Sequence, residues 1–328
     1  MTIRLPAFEY VTPSTLGEAV VLLSEAGSSA AIVAGGTDLV PKMKRGQTSP
    51  LILMSLALVG TMHGIRIAKD GSCVLGASTT LGEISASPLV PTVVAGAARS
   101  IASPQIRNTA TIGGNLCLDT RCNYIDQTEA WRQASGYCLK DGGDTCWVAP
   151  RGDRCWAISS TDLAPVAVAL GGTVRLASIR GDRVVPVEDL YRNDGSDYLT
   201  KQPDEILVEL TIPPLAGRAT YKKLRRRGSI DFALLGVAAA VEVDDEGLCR
   251  SARIVVGGIA SAPLRATAAE EHLAGRELTG ENIKEAARLG ARPFRPQDNT
   301  DMGSRYRKWM ISVHIARALE TCTNEEAV

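Results

Sequence analysis

A short apolar segment runs straight into a double glycine at Ala31-Ile32-Val33-Ala34-Gly35-Gly36-Thr37-Asp38-Leu39. The apolar residues predict a buried strand, and the glycines predict a tight turn directly after it. Glycine lacks a side chain and tolerates positive φ, so backbone N–H groups in such a turn can approach a ligand closely. Groups of this kind suit a pyrophosphate. A plain tight turn is the alternative interpretation.

A second double glycine follows small polar residues at Thr109-Ala110-Thr111-Ile112-Gly113-Gly114-Asn115. Neither double glycine belongs to a G-x-G-x-x-G or Walker pattern. Both are therefore predicted as loops, without the dinucleotide-binding fingerprint of a Rossmann fold.

Apolar periodicity predicts helices and strands around these two loops. Ahead of the first strand, a helix is expected that Ser14 or Thr15 caps and Gly27 ends. Its apolar face would be Leu16, Ala19, Val20 and Leu23. Further strands are predicted at 51–54, 173–177, 205–212, 233–243 and 249–257, with a hairpin over 63–76. Further helices are predicted at 78–84, 91–101, 162–170, 265–275, 281–291 and 304–320.

Cysteines concentrate between Asn115 and Asp162. That region is polar and Gly-rich, shows no apolar periodicity, and is predicted as a long loop. A loop of this length is uncommon in a compact domain unless it has a function or is stabilised by a feature such as a bound metal. Its cysteines are Cys117, Cys122, Cys138, Cys146 and Cys155, five of the eight in the chain.

Four of these thiols suggest a metal centre, with the spacing C-x15-C-x7-C-x8-C. The spacing lacks the compact C-x2-C of ferredoxins and of most zinc sites. On spacing alone, an iron–sulfur centre, zinc and no metal all remain open. Cys117 is expected to be a small buried core residue, and Cys73, Cys249 and Cys322 to be structural. Three tryptophans, Trp131, Trp147 and Trp156, would either shield a centre from solvent or anchor the loop.

The composition excludes several classes of protein. The 328 residues carry 36 Lys plus Arg and 36 Asp plus Glu, so neither nucleic acid nor an anionic membrane is an expected partner. No 18-residue apolar run occurs, and Met1–Pro6 lacks the pattern of a signal peptide. A cytoplasmic location is expected, where thiols stay reduced. This argues for a metal or redox role over disulfides.

Acid–base catalysis is not expected of this chain. Its three histidines, His63, His272 and His314, are widely separated, which disfavours a catalytic triad or a His-rich metal site. No catalytic residue is predicted. The basic run at 221–227 is interpreted as a solvated strand edge, or as one residue that reaches a ligand phosphate.

Both double-glycine loops, together with Asp162-Leu163-Ala164-Pro165, resemble a known family. The chain is similar to the FAD-binding medium subunits of the molybdenum hydroxylases, the xanthine dehydrogenase and CO dehydrogenase group. The resemblance covers nearly the whole chain. It implies an α+β fold with a two-part FAD-binding domain of the vanillyl-alcohol-oxidase (PCMH) type. A smaller C-terminal α+β domain of the CO dehydrogenase flavoprotein type would follow.

The resemblance places the FAD-binding domain at 1–216 and the C-terminal domain at 217–328, with Pro213-Pro214 near the boundary. The first domain would divide into subdomains at about 1–57 and 58–216, with a cysteine-rich insertion at about 117–158. Both loops would wrap the FAD diphosphate, and four further residues would lie near the cofactor. The implied FAD-binding residues are Ile32, Val33, Ala34, Gly35, Gly36, Thr37, Asp38, Leu39, Ile101, Thr111, Ile112, Gly113, Gly114, Asn115, Asp162, Leu207 and Lys223.

The insertion is where the chain departs from ordinary members, which pass from the second loop to Asp162 in a short step. One branch of the family is known for such an insertion, the β subunits of 4-hydroxybenzoyl-CoA reductases. The resemblance implies a [4Fe–4S] cluster bound by Cys122, Cys138, Cys146 and Cys155. The implied partners are a large molybdenum-cofactor subunit and a small [2Fe–2S] subunit, in a dimer of heterotrimers, with ferredoxin as electron donor.

The function implied is electron transfer from ferredoxin through [4Fe–4S] and FAD to the partners, for reductive dehydroxylation to benzoyl-CoA in anaerobic aromatic degradation. Two alternatives remain. One is the FAD subunit of an ordinary hydroxylase or dehydrogenase, with electrons flowing outward and the insertion acting as a docking loop. The other is a flavin-free scaffold subunit with a zinc-stapled loop. Without an acidic or basic residue suited to substrate chemistry, this chain would only move electrons.

Overall fold

The computed structural model describes residues 4–323, which form a mixture of helices and sheets. The α+β fold class predicted from the resemblance is confirmed. Residues 1–3 of the N-terminal segment Met1–Pro6, and residues 324–328 of the predicted C-terminal domain, lie outside the described residues. Among those described, no helix has the length and apolar character needed to span a bilayer.

Twelve strands and eleven α-helices make up the described part of the chain. The strands are β1 (Glu9–Val11), β2 (Ala30–Val33), β3 (Ile52–Ser55), β4 (Ile65–Ile67), β5 (Cys73–Gly76), β6 (Thr173–Ser178), β7 (Gly181–Pro186), β8 (Ile206–Ile212), β9 (Arg218–Leu224), β10 (Leu235–Val243), β11 (Cys249–Gly257) and β12 (Leu264–Arg265). The helices are α1 (Leu16–Ala26), α2 (Leu39–Lys44), α3 (Leu81–Ala86), α4 (Thr92–Arg99), α5 (Pro104–Arg107), α6 (Ile112–Leu116), α7 (Glu129–Ala134), α8 (Leu163–Ala169), α9 (Thr267–Leu273), α10 (Gly280–Ala291) and α11 (Ser304–Thr323).

These strands form three sheets. The first is parallel, with strand order β1-β3-β2, and ends at the first double-glycine turn. The second is antiparallel, with order β4-β5-β8-β6-β7, and includes the hairpin predicted over 63–76. The third is antiparallel, with order β12-β11-β10-β9, and belongs to the C-terminal region.

Local signals in the sequence account for α1. The Thr15 side chain accepts a hydrogen bond from the Glu18 backbone N–H at 3.1 Å, which caps the helix N-terminus. Gly27 follows the last helical residue with φ +53°, a left-handed value that glycine tolerates. Ala19, Val20 and Leu23 are buried on the predicted apolar face. The predicted helix and both of its ends are confirmed.

Strand β10 lies between two hydrophobic cores, which explains its continuous run of apolar residues. Its residues Leu235, Val237 and Ala239 point into the core of the C-terminal region. The intervening Ala238 packs into the larger core that the first two sheets share with α8. Because side chains alternate across a strand, both faces of β10 are buried. Helix α8 is thereby fixed against this sheet, with Asp162 at its N-terminus.

Two loop predictions need correction. The second double-glycine segment contains α6, because the Thr111 side chain caps a single helical turn. The cysteine-rich insertion contains α7, capped by Thr128, and a 3-10 turn at Leu139–Asp141. Both helices are too short to show apolar periodicity in the sequence. Contacts with distant segments hold them in place. The Tyr191 hydroxyl donates to the Leu116 carbonyl of α6, and the Arg132 guanidinium of α7 donates to the Gly46 carbonyl.

Candidate functional site

The backbone of the first double-glycine turn packs directly against the backbone of Thr109 and Ala110, just ahead of the second double-glycine turn. Gly35 has no room for a side chain, because a Cβ atom there would lie 1.9 Å from the Thr109 carbonyl oxygen. Gly36 has φ +67°, which favours glycine. The two segments that the resemblance assigned to one ligand, 32–39 and 111–115, therefore lie side by side.

The second turn is held by its own threonine and by a close contact with Ala77, the residue directly after β5. The Thr111 side chain accepts a hydrogen bond from the Gly114 N–H at 3.1 Å. A Cβ atom on Gly113 would lie 2.8 Å from the Ala77 Cβ, so glycine is required there as well. A Cβ atom on Gly114 would lie 3.9 Å from the Ala34 Cβ, and both residues are exposed. The two turns thus face each other at the surface.

Asn115 ties the second turn to the start of α8. Its Oδ1 accepts a hydrogen bond from the Thr161 Oγ1 at 2.6 Å and from the Leu163 N–H at 3.3 Å. Asp162 lies between these two donors in the sequence. The residue is thereby placed next to the double-glycine loops, although 47 positions separate it from Asn115.

Asp162 and Lys223 form a buried ion pair. The Lys223 Nζ lies 3.0 Å from the Asp162 carboxylate, and their side chains are 4% and 3% exposed respectively. The Tyr221 hydroxyl donates to the same carboxylate at 2.8 Å. Burial raises the pKa of Asp162, while the Lys223 ammonium opposes that shift. Three groups on α8 and β9 are therefore fixed relative to one another.

Tyr221 was missed as a site residue in the sequence, although a signal was available. It precedes Lys223 by two residues on β9, so both side chains point to the same face of the strand. Applied to the predicted strand edge, this alternation identifies Tyr221 as a neighbour of any group that Lys223 contacts.

Lys223 also connects Asp162 to the segment that carries Ile101. Its Nζ donates to the Ser100 carbonyl at 3.2 Å, and the Arg225 guanidinium donates to the same carbonyl at 3.3 Å. Ile101 is half-buried against the larger core. Leu207 lies apart from these polar groups. It is a β8 residue with 5% of its surface exposed and is packed within the core.

A chain of charged side chains leads from the first turn toward the cysteines. Asp38 accepts a hydrogen bond from the Arg121 guanidinium, and the Lys42 Nζ lies 3.8 Å from its carboxylate. Lys42 is also paired with Asp119. The Lys140 Nζ lies 2.8 Å from the same Asp119 carboxylate. Charged groups of the first turn and of the insertion are thus paired in an unbroken series.

The four cysteines predicted to act together line one cavity. They are Cys122, Cys138, Cys146 and Cys155. The space between them has room for about one water molecule, and part of it is open to solvent. Its wall also includes Lys140 and Trp147. The structure therefore brings together residues that are spread over 34 positions of a region without a regular sequence pattern.

The thiols are close enough to influence one another. Burial raises the pKa of Cys122 to about 12, the Tyr124 backbone N–H opposes this, and the other three cavity cysteines add to the increase. Across residues 4–323, no three His, Cys, Asp or Glu side chains are arranged to hold a metal ion. The thiols line a common space without converging on one point. Four-cysteine coordination is the donor set that [4Fe–4S] clusters use.

Gly195 gives the Cys155 side of the cavity its shape. A Cβ atom at Gly195 would lie 2.8 Å from the Cys155 sulfur and 2.7 Å from the Ala157 nitrogen. The Gly195 N–H donates to the Cys155 carbonyl at 2.9 Å. A segment outside the insertion therefore approaches this cysteine through its backbone.

The remaining cysteines and the tryptophans lie around this site in different ways. Cys117 is half-buried against the larger core and is outside the set that lines the cavity. Cys73, Cys249 and Cys322 are buried in the hydrophobic cores, as expected for structural residues. Trp147 lines the cavity and is 38% exposed, so it separates part of that space from solvent.

Comparison with known proteins gives two family matches that together span most of the chain. The family described as "FAD binding domain in molybdopterin dehydrogenase" matches residues 6–215. The family described as "CO dehydrogenase flavoprotein C-terminal domain" matches residues 219–322.

Individual relatives agree with these matches over nearly their full length. The chain is 31% identical to the nicotinate dehydrogenase FAD-subunit of Eubacterium barkeri, over 84% of this chain and 83% of the relative. It is 28% identical to the carbon monoxide dehydrogenase medium chain of Hydrogenophaga pseudoflava, over 96% of each. A solved structure of carbon monoxide dehydrogenase from that organism superposes with a TM-score of 0.80 at 28% identity, over 98% of both chains.

Proposed function

The chain belongs to the family of FAD-binding subunits of molybdopterin dehydrogenases, and we propose that it is the FAD and [4Fe–4S] electron-transfer subunit of a 4-hydroxybenzoyl-CoA reductase. As a member of this family it is an oxidoreductase subunit. The proposal adds the cluster, the substrate and the direction of electron flow. We assign the FAD-binding domain to 1–216, with the insertion at about 117–158, and the C-terminal domain to 217–328.

The observation that carries the proposal is the cavity lined by Cys122, Cys138, Cys146 and Cys155. Four thiols and no imidazole or carboxylate form its donor set, which fits the four-cysteine coordination of [4Fe–4S]. Zinc also binds four thiolates, so the iron, zinc and sulfide content per chain distinguishes the two kinds of centre. A bound cluster would supply one-electron transfer at a site 7 to 40 residues after Asn115 of the second double-glycine loop.

The chain's own residues support FAD at the paired double-glycine turns. Gly35 and Gly113 permit close contacts that any side chain would block, and the neighbouring residues Ala34 and Gly114 are exposed, where a diphosphate could approach. We propose that 32–39 and 111–115 bind the diphosphate. Bound FAD would supply the exchange between one-electron and two-electron carriers.

We propose that Asp162 and Lys223 orient FAD as a pair. In the described structure the Lys223 ammonium donates to Asp162 and to the Ser100 carbonyl. The pair therefore fixes the segment that contains Ile101, which we assign to the cofactor site with Leu207. In this proposal Lys223 has two roles. Its positive charge faces the cofactor site, and its hydrogen bonds hold Asp162 and Ser100 in position.

The proposed reaction is the reductive removal of a phenolic hydroxyl group. 4-Hydroxybenzoyl-CoA accepts two electrons and two protons, the ring C–O bond breaks, and benzoyl-CoA and water form. Molybdenum chemistry would take place in a large partner subunit, and a small partner would hold [2Fe–2S] clusters. We propose a dimer of these heterotrimers in the cytoplasm. Reduction of an aromatic ring needs a strong reductant, so a ferredoxin is proposed as donor to the cysteine site.

A second candidate is the FAD subunit of an ordinary molybdenum hydroxylase that sends electrons outward. The names of the relatives favour it, since they include a 6-hydroxypseudooxynicotine dehydrogenase and a nicotine 6-hydroxylase, both from Paenarthrobacter nicotinovorans. In that case the insertion would serve as a docking loop.

Turnover by the assembled holoenzyme, purified without oxygen, separates the two candidates. The proposal predicts that reduced ferredoxin supports formation of benzoyl-CoA from 4-hydroxybenzoyl-CoA, and that NADH does not. A holoenzyme that oxidises an aromatic or aldehyde substrate with NAD⁺, and leaves 4-hydroxybenzoyl-CoA unchanged with ferredoxin, would contradict the proposal and support the second candidate.

A further inference from the structure

The two segments that carry Cys122 and Cys155 are paired with each other. The Arg121 N–H donates to the Ile158 carbonyl at 2.8 Å, and the Ile158 N–H donates to the Arg121 carbonyl at 2.8 Å. This bridge lies one residue before Cys122 and three residues after Cys155. It aligns the two segments antiparallel to each other.

Asn299, from the C-terminal region, joins the two segments a second time, two residues from the bridge in each segment. Its backbone carbonyl accepts a hydrogen bond from the Asn123 N–H at 2.9 Å. Its side-chain Nδ2 donates to the Trp156 carbonyl. Asn123 directly follows Cys122, and Trp156 directly follows Cys155. One residue, 1% exposed, thus contacts the immediate neighbours of two cavity cysteines.

Arg307 holds Asn299 in this position. Its guanidinium is fully buried and donates to the Met302 carbonyl at 3.0 Å, to the Gln297 carbonyl and to the Asn299 Oδ1 at 3.5 Å. Burial lowers the pKa of Arg307. A buried cation is costly unless its donors are satisfied. By donating to these acceptors, Arg307 holds the 297–302 loop in place and orients the side-chain amide of Asn299.

A second contact links the same two regions. The Ser261 Oγ donates to the Ala157 carbonyl at 2.7 Å. The Ser159 N–H donates to the Ala260 carbonyl at 2.9 Å. The C-terminal region therefore contacts the Cys155 segment at Trp156, Ala157 and Ser159. It contacts the Cys122 segment through Asn299.

We infer that Asn299, oriented by Arg307, is a positioning residue for Cys122 and Cys155, so that the C-terminal domain completes the cysteine site. The inference rests on the proposed [4Fe–4S] function and names the residues that set the spacing of two of its ligands. A cluster tolerates only one separation of its ligating sulfurs. A bridge that fixes the backbone next to both thiols lowers the cost of reaching that separation.

The experiment compares Asn299→Asp with wild type in the full chain. Aspartate keeps the size of the side chain and the oxygen that faces Arg307, but it places an acceptor opposite the Trp156 carbonyl. Glu270→Ala is the matched control. It removes a buried side chain of the same domain that accepts from the Ile254 N–H at 2.8 Å, with no contact to the insertion among the hydrogen bonds of the described residues.

The readouts are iron and sulfide per chain, FAD per chain, and the rate of iron release to a ferrous chelator. We expect roughly tenfold faster iron release from Asn299→Asp, the effect of one unsatisfied buried carbonyl. FAD content should be unchanged, and iron release from Glu270→Ala should match wild type even if its Tm is lower. Arg307→Lys, which loses the guanidinium fork, should show a smaller acceleration.

Equal iron release from wild type, Asn299→Asp and Arg307→Lys would overturn the inference and leave the proposed function intact. Acceleration by Glu270→Ala in proportion to its loss of Tm would also overturn it, because the effect would then follow overall stability. A wild-type chain without iron or sulfide would instead overturn the proposed function, and the inference with it.

Discussion

Asp38 of the first double-glycine turn is ion-paired with Arg121, the residue immediately before Cys122. The pair is partly buried, with 23% and 16% of the two side chains exposed. The Arg121 guanidinium also lies 3.8 Å from the centre of the Phe232 ring in the C-terminal region. One side chain thus connects the first double-glycine turn, the cysteine-rich segment and the C-terminal region. The two proposed cofactor sites are therefore parts of one packed unit.

Charge removal tests this connection through a double-mutant cycle. Asp38→Asn and Arg121→Gln should each lower the free energy of unfolding by roughly 1–3 kcal/mol, since each leaves a partly buried charge without its partner. The double variant should be less destabilised than the sum of the two by about 0.5–3 kcal/mol, the range for residues in contact. Urea unfolding of the purified chain measures all three values. Strictly additive losses would show that the pair carries no coupling.

Because the two turns are in backbone contact, adding a single methyl group at Gly35 should strongly reduce stability and FAD binding. Gly35→Ala would place Cβ 1.9 Å from the Thr109 carbonyl oxygen, so the turns must separate. We expect a loss of at least about 1–3 kcal/mol in unfolding free energy, and FAD lost from the purified chain. Gly17→Ala is the control, because a Cβ there has no atom within 4 Å and helix α1 should gain roughly 0.5–1 kcal/mol. FAD retained at the wild-type level in Gly35→Ala would contradict the placement of FAD at these turns.

Lys140 predicts a shift in reduction potential. Its ammonium group lines the cysteine cavity on a side chain that is only 10% exposed. A cation stabilises the reduced, more negative form of a cluster, so Lys140→Met should lower the midpoint potential. We expect roughly tens of millivolts, the scale of one buried charge that Asp119 partly compensates. A redox titration followed by electron paramagnetic resonance measures the shift.

The control for that measurement is Lys69→Met, which removes the same charge from an exposed hairpin turn. Solvent and salt screen this position, so the potential should stay at the wild-type value. A Lys140→Met cluster with an unchanged or higher potential would contradict the proposed place of the cluster.

His314 predicts loss of stability in acid. Burial lowers the pKa of this α11 histidine, the Met310 carbonyl opposes the shift, and Arg317 and Lys222 add to it. The unfolded chain therefore takes up the proton at a higher pH than the folded chain. The stabilising effect of the neutral ring is complete above about pH 6.5, the ordinary pKa, and declines as pH falls through the lowered one.

His314→Gln should remove this contribution. Below about pH 6.5, wild type should lose up to about 1.4 kcal/mol per pH unit more than the variant does. Urea unfolding at pH 8.0 and at pH 5.5 compares the two slopes. Parallel loss of stability in both proteins would exclude a role for His314.

Much of the fold is predictable from the sequence because its signals are local. The cap of α1 at Thr15, the end at Gly27 and the hairpin of β4 and β5 depend on neighbouring residues only. Strand β11 occupies the predicted range, because its apolar run over 254–256 ends at Gly257. Short helices such as α6 and α7 lack enough residues to show a period and were predicted as loops.

The cysteine site depends on contacts that no local pattern reveals. Spacings of 15, 7 and 8 residues left iron–sulfur, zinc and no metal open. Gly195 and Asn299 come from separate parts of the chain. They hold the site through hydrogen bonds to the Cys155 carbonyl and to the backbone of Asn123 and Trp156. Tyr221 differs from these residues, because a local signal does identify it. It precedes Lys223 by two residues on β9, so both side chains lie on one face of the strand and reach Asp162.

Metal content of the chain tests the central claim most directly. Iron, zinc and acid-labile sulfide should be measured per chain on protein purified without oxygen, for wild type, Cys138→Ser and Cys146→Ser. The account predicts about four iron and four sulfide in wild type, lost in both variants while FAD is retained. About one zinc per chain without sulfide, or iron content unchanged by either substitution, would contradict the [4Fe–4S] assignment and leave an ordinary FAD subunit of the family.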